Sequence, residues 1–320
     1  MLEGMDHAAG RYAPSPTGRL HLGNLRTALL AWCFARSRDA PFAMRIEDLD
    51  AQRSRPEFEV AALADLAALG LDWDGAPVRQ SERRERHRDA FVALRDAGRL
   101  YRCWCSRAEI REAAAAPHGP GGDAYPGTCR RLSQRELARR AASGRPCAWR
   151  LDAQCATVAF DDALAGRRSA VVDDFVVWRE GPAGAETAAY NLAVVVDDSD
   201  QGVGEVVRGD DLLETTPRQI LLARALGLAV PRYAHVPLVL WRDGRRLAKR
   251  RPPAGAAATL PERLARGERV EQLVGWMASS AGLAADGAQL SAREVLARFD
   301  AARLRREPAL LEGDAQPAAA

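Results

Sequence analysis

Two segments of the chain carry side chains suited to handling phosphate. The first, Arg11-Tyr12-Ala13-Pro14-Ser15-Pro16-Thr17-Gly18, runs into His21-Leu22-Gly23-Asn24. Its two prolines stiffen the loop, while Gly18 and Gly23 let the backbone come close to a ligand. A loop between a strand and a helix presents backbone N–H groups and the positive helix end, which is how α/β folds hold phosphate. A rigid turn with no ligand is the plainer alternative. The second segment, Arg245-Arg246-Leu247-Ala248-Lys249-Arg250, contains the only lysine among 46 basic residues. Arginine fills every other basic position, for which genomic codon bias is the plainer explanation; against that bias the surviving lysine points to a task that suits a compact ammonium.

A third set is built on sulfur. Cys103 and Cys105 are spaced to share one face of a strand, and Cys129 follows across a loop. Three thiolates and a fourth donor suit tetrahedral zinc, with inert buried thiols as the alternative. By chemistry alone the fourth donor is open between His118 and Tyr125, whose phenol must lose a proton of pKa about 10 to ligate. Cys33, Cys147 and Cys155 read as small apolar residues.

These groups need elements to hold them. A strand at Arg11 and Tyr12 leads to a helix after Gly23 with Leu25, Ala28, Leu29 and Trp32 on one face. A second strand, Phe42 to Ile46, delivers Glu47 and Asp48; Pro56 then opens a helix with Leu63, Leu66 and Ala67 facing inward. A helix from Ser81 to Ala97 stops at Gly98, and Tyr101 to Cys105 reads as a strand. Capping boxes at Ser106/Glu109 and Ser133/Glu136 predict two short helices, separated by a Pro- and Gly-rich loop from Pro117 to Gly127. Further on, Val171 to Trp178, Leu192 to Val196 and His235 to Trp241 read as strands, the last followed by an Asp243-Gly244 turn. Thr216, Pro217 and Gln219 read as cap, N1 proline and capping-box partner of a helix ending at Gly227. Short helices, one capped by Ser291 and Glu294, precede an Ala-rich tail.

With 320 residues and 47% apolar content, the chain can bury a full core. No apolar run is long enough to span a bilayer, and the residues before Gly10 lack a signal-peptide pattern, so a cytoplasmic protein is expected. Six unevenly spaced cysteines do not form a disulfide framework. A net charge of +3 gives only a faint hint of a nucleic-acid partner, well short of a strongly basic domain.

Taken together, these motifs resemble the class I aminoacyl-tRNA synthetases for glutamate and glutamine, over a stretch from Arg11 to Lys249. The first segment is similar to their HIGH-type signature, with His21 at the first histidine and Asn24 where the second stands. The basic segment resembles the KMSKS-type loop, with Lys249 at its second lysine, Arg246 at its first and Ala248 at its serine. The resemblance implies an α/β, Rossmann-like catalytic domain made of 10–99 and 166–250. It also implies a small zinc-binding insertion at 100–165 and a short helical region at 251–320, with no full anticodon-binding domain.

It further implies ATP, with Mg²⁺, as a substrate held by His21, Gly23, Asn24 and Lys249. His21 and Lys249 would stabilise phosphate charge while a carboxylate attacks in line. Glutamate carries two carboxylates and one ammonium, so its pocket needs two cations and one anion; Arg11, Arg208 and Glu47 can supply them. The likeness places glutamate against Arg11, Tyr12, Ala13, Pro14, Ser15, Glu47, Tyr190 and Arg208, and its Tyr-Pro-x-x-Cys pattern favours Tyr125 over His118 as the fourth zinc ligand. The missing anticodon-binding region and the tyrosine-containing metal motif point, within the family, to the glutamyl-Q tRNA(Asp) synthetases. Those enzymes attach glutamate to queuosine in the tRNA(Asp) anticodon. Activation without tRNA and a monomeric chain are the corresponding expectations. Two rivals are a short glutamyl-tRNA synthetase charging the tRNA 3′ end and a tRNA-binding paralogue without catalysis.

Overall fold

The computed structural model describes residues 8–115, 125–181, 185–247 and 257–311. His118, Ala248, Lys249 and Arg250 lie outside the described residues, as does the Ala-rich tail after 311. The chain opens with β1 (Gly10–Tyr12), α1 (Leu22–Arg36), β2 (Phe42–Ile46), α2 (Pro56–Ala68), β3 (Val78–Arg79) and α3 (Arg84–Asp96). The β1, β2 and β3 strands form a parallel sheet in that order. Next come β4 (Leu100–Cys103), α4 (Arg107–Ala115), α5 (Gln134–Ala141), β5 (Cys147–Leu151), β6 (Thr157–Asp162), β7 (Gly166–Val171), β8 (Phe175–Glu180) and β9 (Glu186–Ala188). The antiparallel sheet β4-β5-β8-β9 thus takes in chain on both sides of position 165, whereas the β6–β7 hairpin joins another sheet, β10-β11-β6-β7.

That second sheet uses β10 (Glu205–Gly209) and β11 (Arg232–Val236), which follow α6 (Tyr190–Asp200) and flank α7 (Thr216–Ala225). A parallel bridge between Ala9 and Val203, with Gly204 N–H donating to Ala9 O at 3.0 Å, sets β1 alongside β10. The outcome is a run of parallel strands covered by helices. Every residue of β1 is buried, as are four of the five in both β2 and β10, which is what a parallel sheet sheltered on both faces demands. The chain ends with β12 (Val239–Trp241), α8 (Leu260–Ala265), α9 (Val270–Ser280), α10 (Ala292–Ala297) and β13 (Ala309–Leu311), the last pairing in parallel with β12.

Among the described residues, no helix is long and apolar enough to cross a membrane. The α1 helix is a central helix rather than an amphipathic one: besides Leu25, Ala28, Leu29 and Trp32, its other faces are buried too. Leu273, Val274 and Met277 of α9 and Val295 of α10 belong to the same hydrophobic core as α1, so the C-terminal helices pack against that helix. Even Arg26 is buried on α1, where its Nη1 donates to Pro237 O at 2.8 Å and its Nη2 to Ser280 O at 3.3 Å. Burial pushes that guanidinium down to about 10.

Several local expectations need correction. Leu192 to Val196 is not a strand but lies inside α6, whose residues from Leu192 to Asp198 are all buried. A helix buried on every side loses the 3.6-residue pattern that would identify it, and its β-branched valines then read as strand. In α2, Ala67 is exposed and Leu63 only half-buried; Ala62 and Asp65 join Leu66 on the inner face. The run expected as one strand from His235 to Trp241 breaks at Pro237 into β11 and β12, since proline cannot donate to a ladder. Likewise Val171 to Trp178 divides between β7 and β8. The α7 helix does begin at Thr216 with Pro217 in its first turn, but no side chain caps it. Gly98 closes α3 with a φ of +66°, and all three Ser/Glu capping boxes form.

Candidate active site and cysteine cluster

The carboxyl ends of β1, β2 and β10 and the first turn of α1 meet around a cavity of about 370 Å³. Open α/β sheets place ligands at this end of their strands. Arg11, Tyr12, Ala13, Pro14, Ser15, His21, Gly23, Asn24, Glu47, Tyr190 and Arg208 all line it, so residues far apart in sequence share one space. Arg246 and Leu247 of the basic segment line it as well, while Lys249 is outside the described residues.

The start of α1 is built by reciprocal capping. Asn24 N–H donates to His21 Nδ1, and His21 N–H to Asn24 Oδ1, each at 3.2 Å. Asn24, the departure from the signature's second histidine, therefore has a structural task here. A Cβ on Gly23 would sit 3.1 Å from the His21 ring and 3.2 Å from Val239, so glycine gives the imidazole its place. Tyr12 Oη donates to Asn24 O at 3.1 Å, tying the end of β1 to the same turn. From the other side, Leu22 N–H donates to Ala258 O at 2.7 Å, so the chain just beyond the basic segment returns to the signature helix.

Beneath the cavity lies a buried ion network that sequence reasoning missed. Asp198 of α6 accepts from Arg45 Nη1 at 2.6 Å and pairs with Arg11 Nε at 3.3 Å; Arg45 Nη2 reaches Glu47 Oε1 at 3.2 Å. Arg11 is further held by Val207 O at 3.2 Å. Burial raises the Glu47 carboxyl above its ordinary value, against the opposing pull of Arg45 and Arg11. Arg45 was legible in principle, because it stands near the end of β2, only two residues before Glu47. Asp198 lies two residues past the run Leu192 to Val196 that reads as strand, with no motif to mark it.

Arg208 is 5% exposed and is anchored along one edge: Nε donates to His235 Nε2 at 3.1 Å and Nη2 to Thr216 Oγ1 at 2.8 Å. Its Nη1 is buried with no hydrogen-bond partner. Thr216, expected as a helix cap, thus holds the arginine, and Gln219 donates to Asn191 Oδ1 at 3.2 Å rather than closing a capping box.

The sulfur set also converges. Sγ atoms of Cys103, Cys105 and Cys129 lie within 4.8 Å of one another, and Tyr125 Oη is 3.4 Å from Cys103 Sγ and 3.8 Å from Cys105 Sγ. Cys105 falls beyond the end of β4, so the thiols converge through the turn after the strand rather than as i and i+2 positions of one. Cys129 comes from a 3-10 turn, Thr128–Arg131, and its N–H donates to Tyr125 Oη at 2.8 Å. Hydrogen bonds from Cys105 and Cys129 hold the Cys103 thiol far below its usual range, while the same contacts push Cys105 up. Clustered sulfurs that cannot all carry charge unaided are a donor set a divalent cation would satisfy. The other thiols differ from one another: Cys33 and Cys147 are buried, but Cys155, expected as apolar filler, is exposed.

Residues 8–258 match the family model of class I tRNA synthetases (E and Q), catalytic domain. A glutamyl-Q tRNA(Asp) synthetase of Nocardia farcinica is 55% identical over 303 residues, covering 95% of this chain and 93% of the relative. Another, from Symbiobacterium thermophilum, is 48% identical over 313 residues, covering 93% and 94%. A glutamate tRNA ligase from Elizabethkingia meningosepticum, solved in complex with its amino acid, superposes with a TM-score of 0.78 at 26% identity, covering 95% of this chain and 67% of that one. A cavity lined by the signature segment, at the end of a parallel sheet where that family is expected to work, agrees with these matches. The chain belongs to the class I tRNA synthetases for glutamate and glutamine and, within them, to the glutamyl-Q tRNA(Asp) synthetases.

Proposed function

We propose that this chain activates L-glutamate with ATP, in the absence of tRNA, and passes the glutamyl group to queuosine in the anticodon of tRNA(Asp). One observation carries the amino-acid reading: a buried guanidinium with an unpartnered nitrogen, Arg208 Nη1, belongs to a residue lining the same cavity as Glu47 and Arg11. A buried donor without a partner is costly, and a ligand carboxylate would satisfy it. In this reading Arg208 takes the side-chain carboxylate, Arg11 the second carboxylate, and Glu47 the ammonium, with Tyr12, Ala13, Pro14, Ser15 and Tyr190 closing the pocket.

ATP, with Mg²⁺, sits against His21, Gly23 and Asn24 at the start of α1, with Lys249 brought in by the basic segment. The glutamate α-carboxylate attacks the α-phosphorus and pyrophosphate leaves; a queuosine hydroxyl then takes the acyl group and AMP departs. Positioning and charge stabilisation do the work, with no covalent enzyme intermediate. The cysteine cluster, with Tyr125 as fourth donor, holds one structural zinc that organises the segment around α4 and α5. The reaction belongs in the cytoplasm, where ATP and tRNA meet, with the chain acting as a monomer.

The test is ATP–pyrophosphate exchange with each amino acid and no tRNA. Labelled glutamate is then supplied with tRNA(Asp) prepared with and without queuosine, and the label is mapped by nuclease digestion. Glutamate-dependent exchange and label in the anticodon of the modified tRNA alone are expected. Label at the 3′ end, or equal labelling of both tRNAs, would transfer the assignment to a short glutamyl-tRNA synthetase; no exchange would leave a tRNA-binding paralogue.

A further inference from the structure

Behind Arg208, on the side away from the ligand groups, stands a fully buried pair whose role the reaction leaves unassigned. Asp162, at the end of β6, accepts from His235 Nδ1 at 2.5 Å, and both side chains have no exposure. The same carboxylate also accepts the backbone N–H groups of His235 at 3.2 Å, Leu164 at 3.0 Å and Ala165 at 2.8 Å. With that many donors it stays an anion, and it fixes the imidazole proton on Nδ1. His235 Nε2 then carries a lone pair, which is what the Arg208 Nε–H at 3.1 Å requires. Thr216 completes the seat: it accepts from Arg208 Nη2 at 2.8 Å while its hydroxyl donates to Leu212 O at 3.2 Å. The Tyr233 ring lies flat against His235 at 5.9 Å and beneath the Arg208 guanidinium at 5.6 Å, closing the remaining side.

We propose that Asp162 and His235 are positioning residues that lock Arg208 by its Nε–Nη2 edge, so that only its Nη1–Nη2 edge is offered to the substrate. This rests on the reading of Arg208 as the glutamate-binding arginine. A guanidinium held this way presents two parallel N–H donors, which match the two acceptors of a carboxylate. The amide of glutamine would turn an N–H₂ toward one of those donors, and a fixed edge cannot rotate to accommodate it. Selectivity for glutamate over glutamine then depends on two residues that never touch the substrate.

The proposal is tested on the full chain by exchange kinetics and by imidazole ¹⁵N shifts. The shifts should show His235 protonated on Nδ1 and bare on Nε2. His235→Leu, which leaves Arg208 Nε without an acceptor, should raise the glutamate KM about tenfold and erode discrimination against glutamine, with kcat and the ATP KM little changed. His235→Gln, whose amide oxygen can stand in for Nε2, should restore most of the loss and guards against a variant that fails to fold. In an Arg208→Gln background, His235→Leu should add nothing, because its effect passes through the arginine. A proton on Nε2, or additive effects in the double variant, overturns the relay. If Arg208→Gln loses discrimination while His235→Leu keeps it, only the relay fails; if Arg208→Gln keeps it, the reading of Arg208 fails first and takes the relay with it.

Discussion

Replacing Asp198 by asparagine keeps the shape of the side chain and deletes its charge from the network beneath the cavity. Two guanidinium groups depend on that charge: Arg45, with no exposure, at 2.6 Å, and Arg11, 5% exposed, at 3.3 Å. Removing one partner of a buried ion pair costs roughly 3–5 kcal/mol, because the other charge stays behind unpaired. Here Arg45 keeps Gln201 at 2.9 Å and Glu47 at 3.2 Å, and Arg11 keeps the Val207 carbonyl at 3.2 Å. Asp198→Asn should therefore fall at the lower end, about 3 kcal/mol. The neighbouring Asp200 offers a contrast, since its partners Arg83 and Arg86 are 21% and 53% exposed; Asp200→Asn should cost about 0–1 kcal/mol.

Urea unfolding at pH 7, followed by circular dichroism, measures both losses. The difference has a defined pH course. Burial alone would raise the Asp198 carboxyl, but Arg45 and then Arg11 hold it below its ordinary value. Its contribution is thus complete above the unfolded carboxylate pKa and is lost as pH falls through the depressed one, so wild type and variant should converge in acid. A loss below about 1 kcal/mol at pH 7, or one equal to that of Asp200→Asn, would refute the view that this acid anchors the two arginines.

Three further outcomes are expected. Protein purified without chelator should carry one zinc per chain by elemental analysis; Tyr125→Phe should weaken its retention and Cys129→Ser abolish it, and metal-free wild type would reject the site. Lys249→Ala should lower the exchange rate more than it weakens glutamate binding, as a transition-state contact would, and an unchanged rate at saturating ATP would remove Lys249 from the chemistry. Asp65 is buried with Oδ2 unpartnered, and burial pushes its carboxyl up to about 6 despite Arg19. A raised carboxyl disfavours the folded state once ionised, so Asp65→Asn should stabilise the protein at pH 7 by on the order of 2 kcal/mol, with the gain vanishing as pH drops below 4. Thermal unfolding at the two pH values that found equal shifts would contradict this.

Much of this protein was legible in its sequence because the information was local. The strand from Phe42 to Ile46, the Ser/Glu caps, the turn at Gly98 and the signature segment each depend on neighbours a few residues apart, and the structure forms them where their chemistry predicts. The candidate ligand-binding residues were readable through the family resemblance, whose motifs, laid on this sequence, named Arg11, Glu47, Tyr190 and Arg208 before their shared cavity was known. What holds those residues was not local. Asp198 reaches Arg11 across 187 positions, and Asp162 reaches His235 across 73, so nothing near either acid announces its partner. The α6 helix was misread because burial on every side erased its period. Thr216 and Gln219 looked like caps because short polar side chains can bond locally, yet tertiary packing gave them distant partners instead. Sequence determines which groups can do chemistry, since that follows from side-chain type. Only the folded chain decides which nitrogen is left without a partner, because hydrogen-bond satisfaction is settled by every element that closes around it.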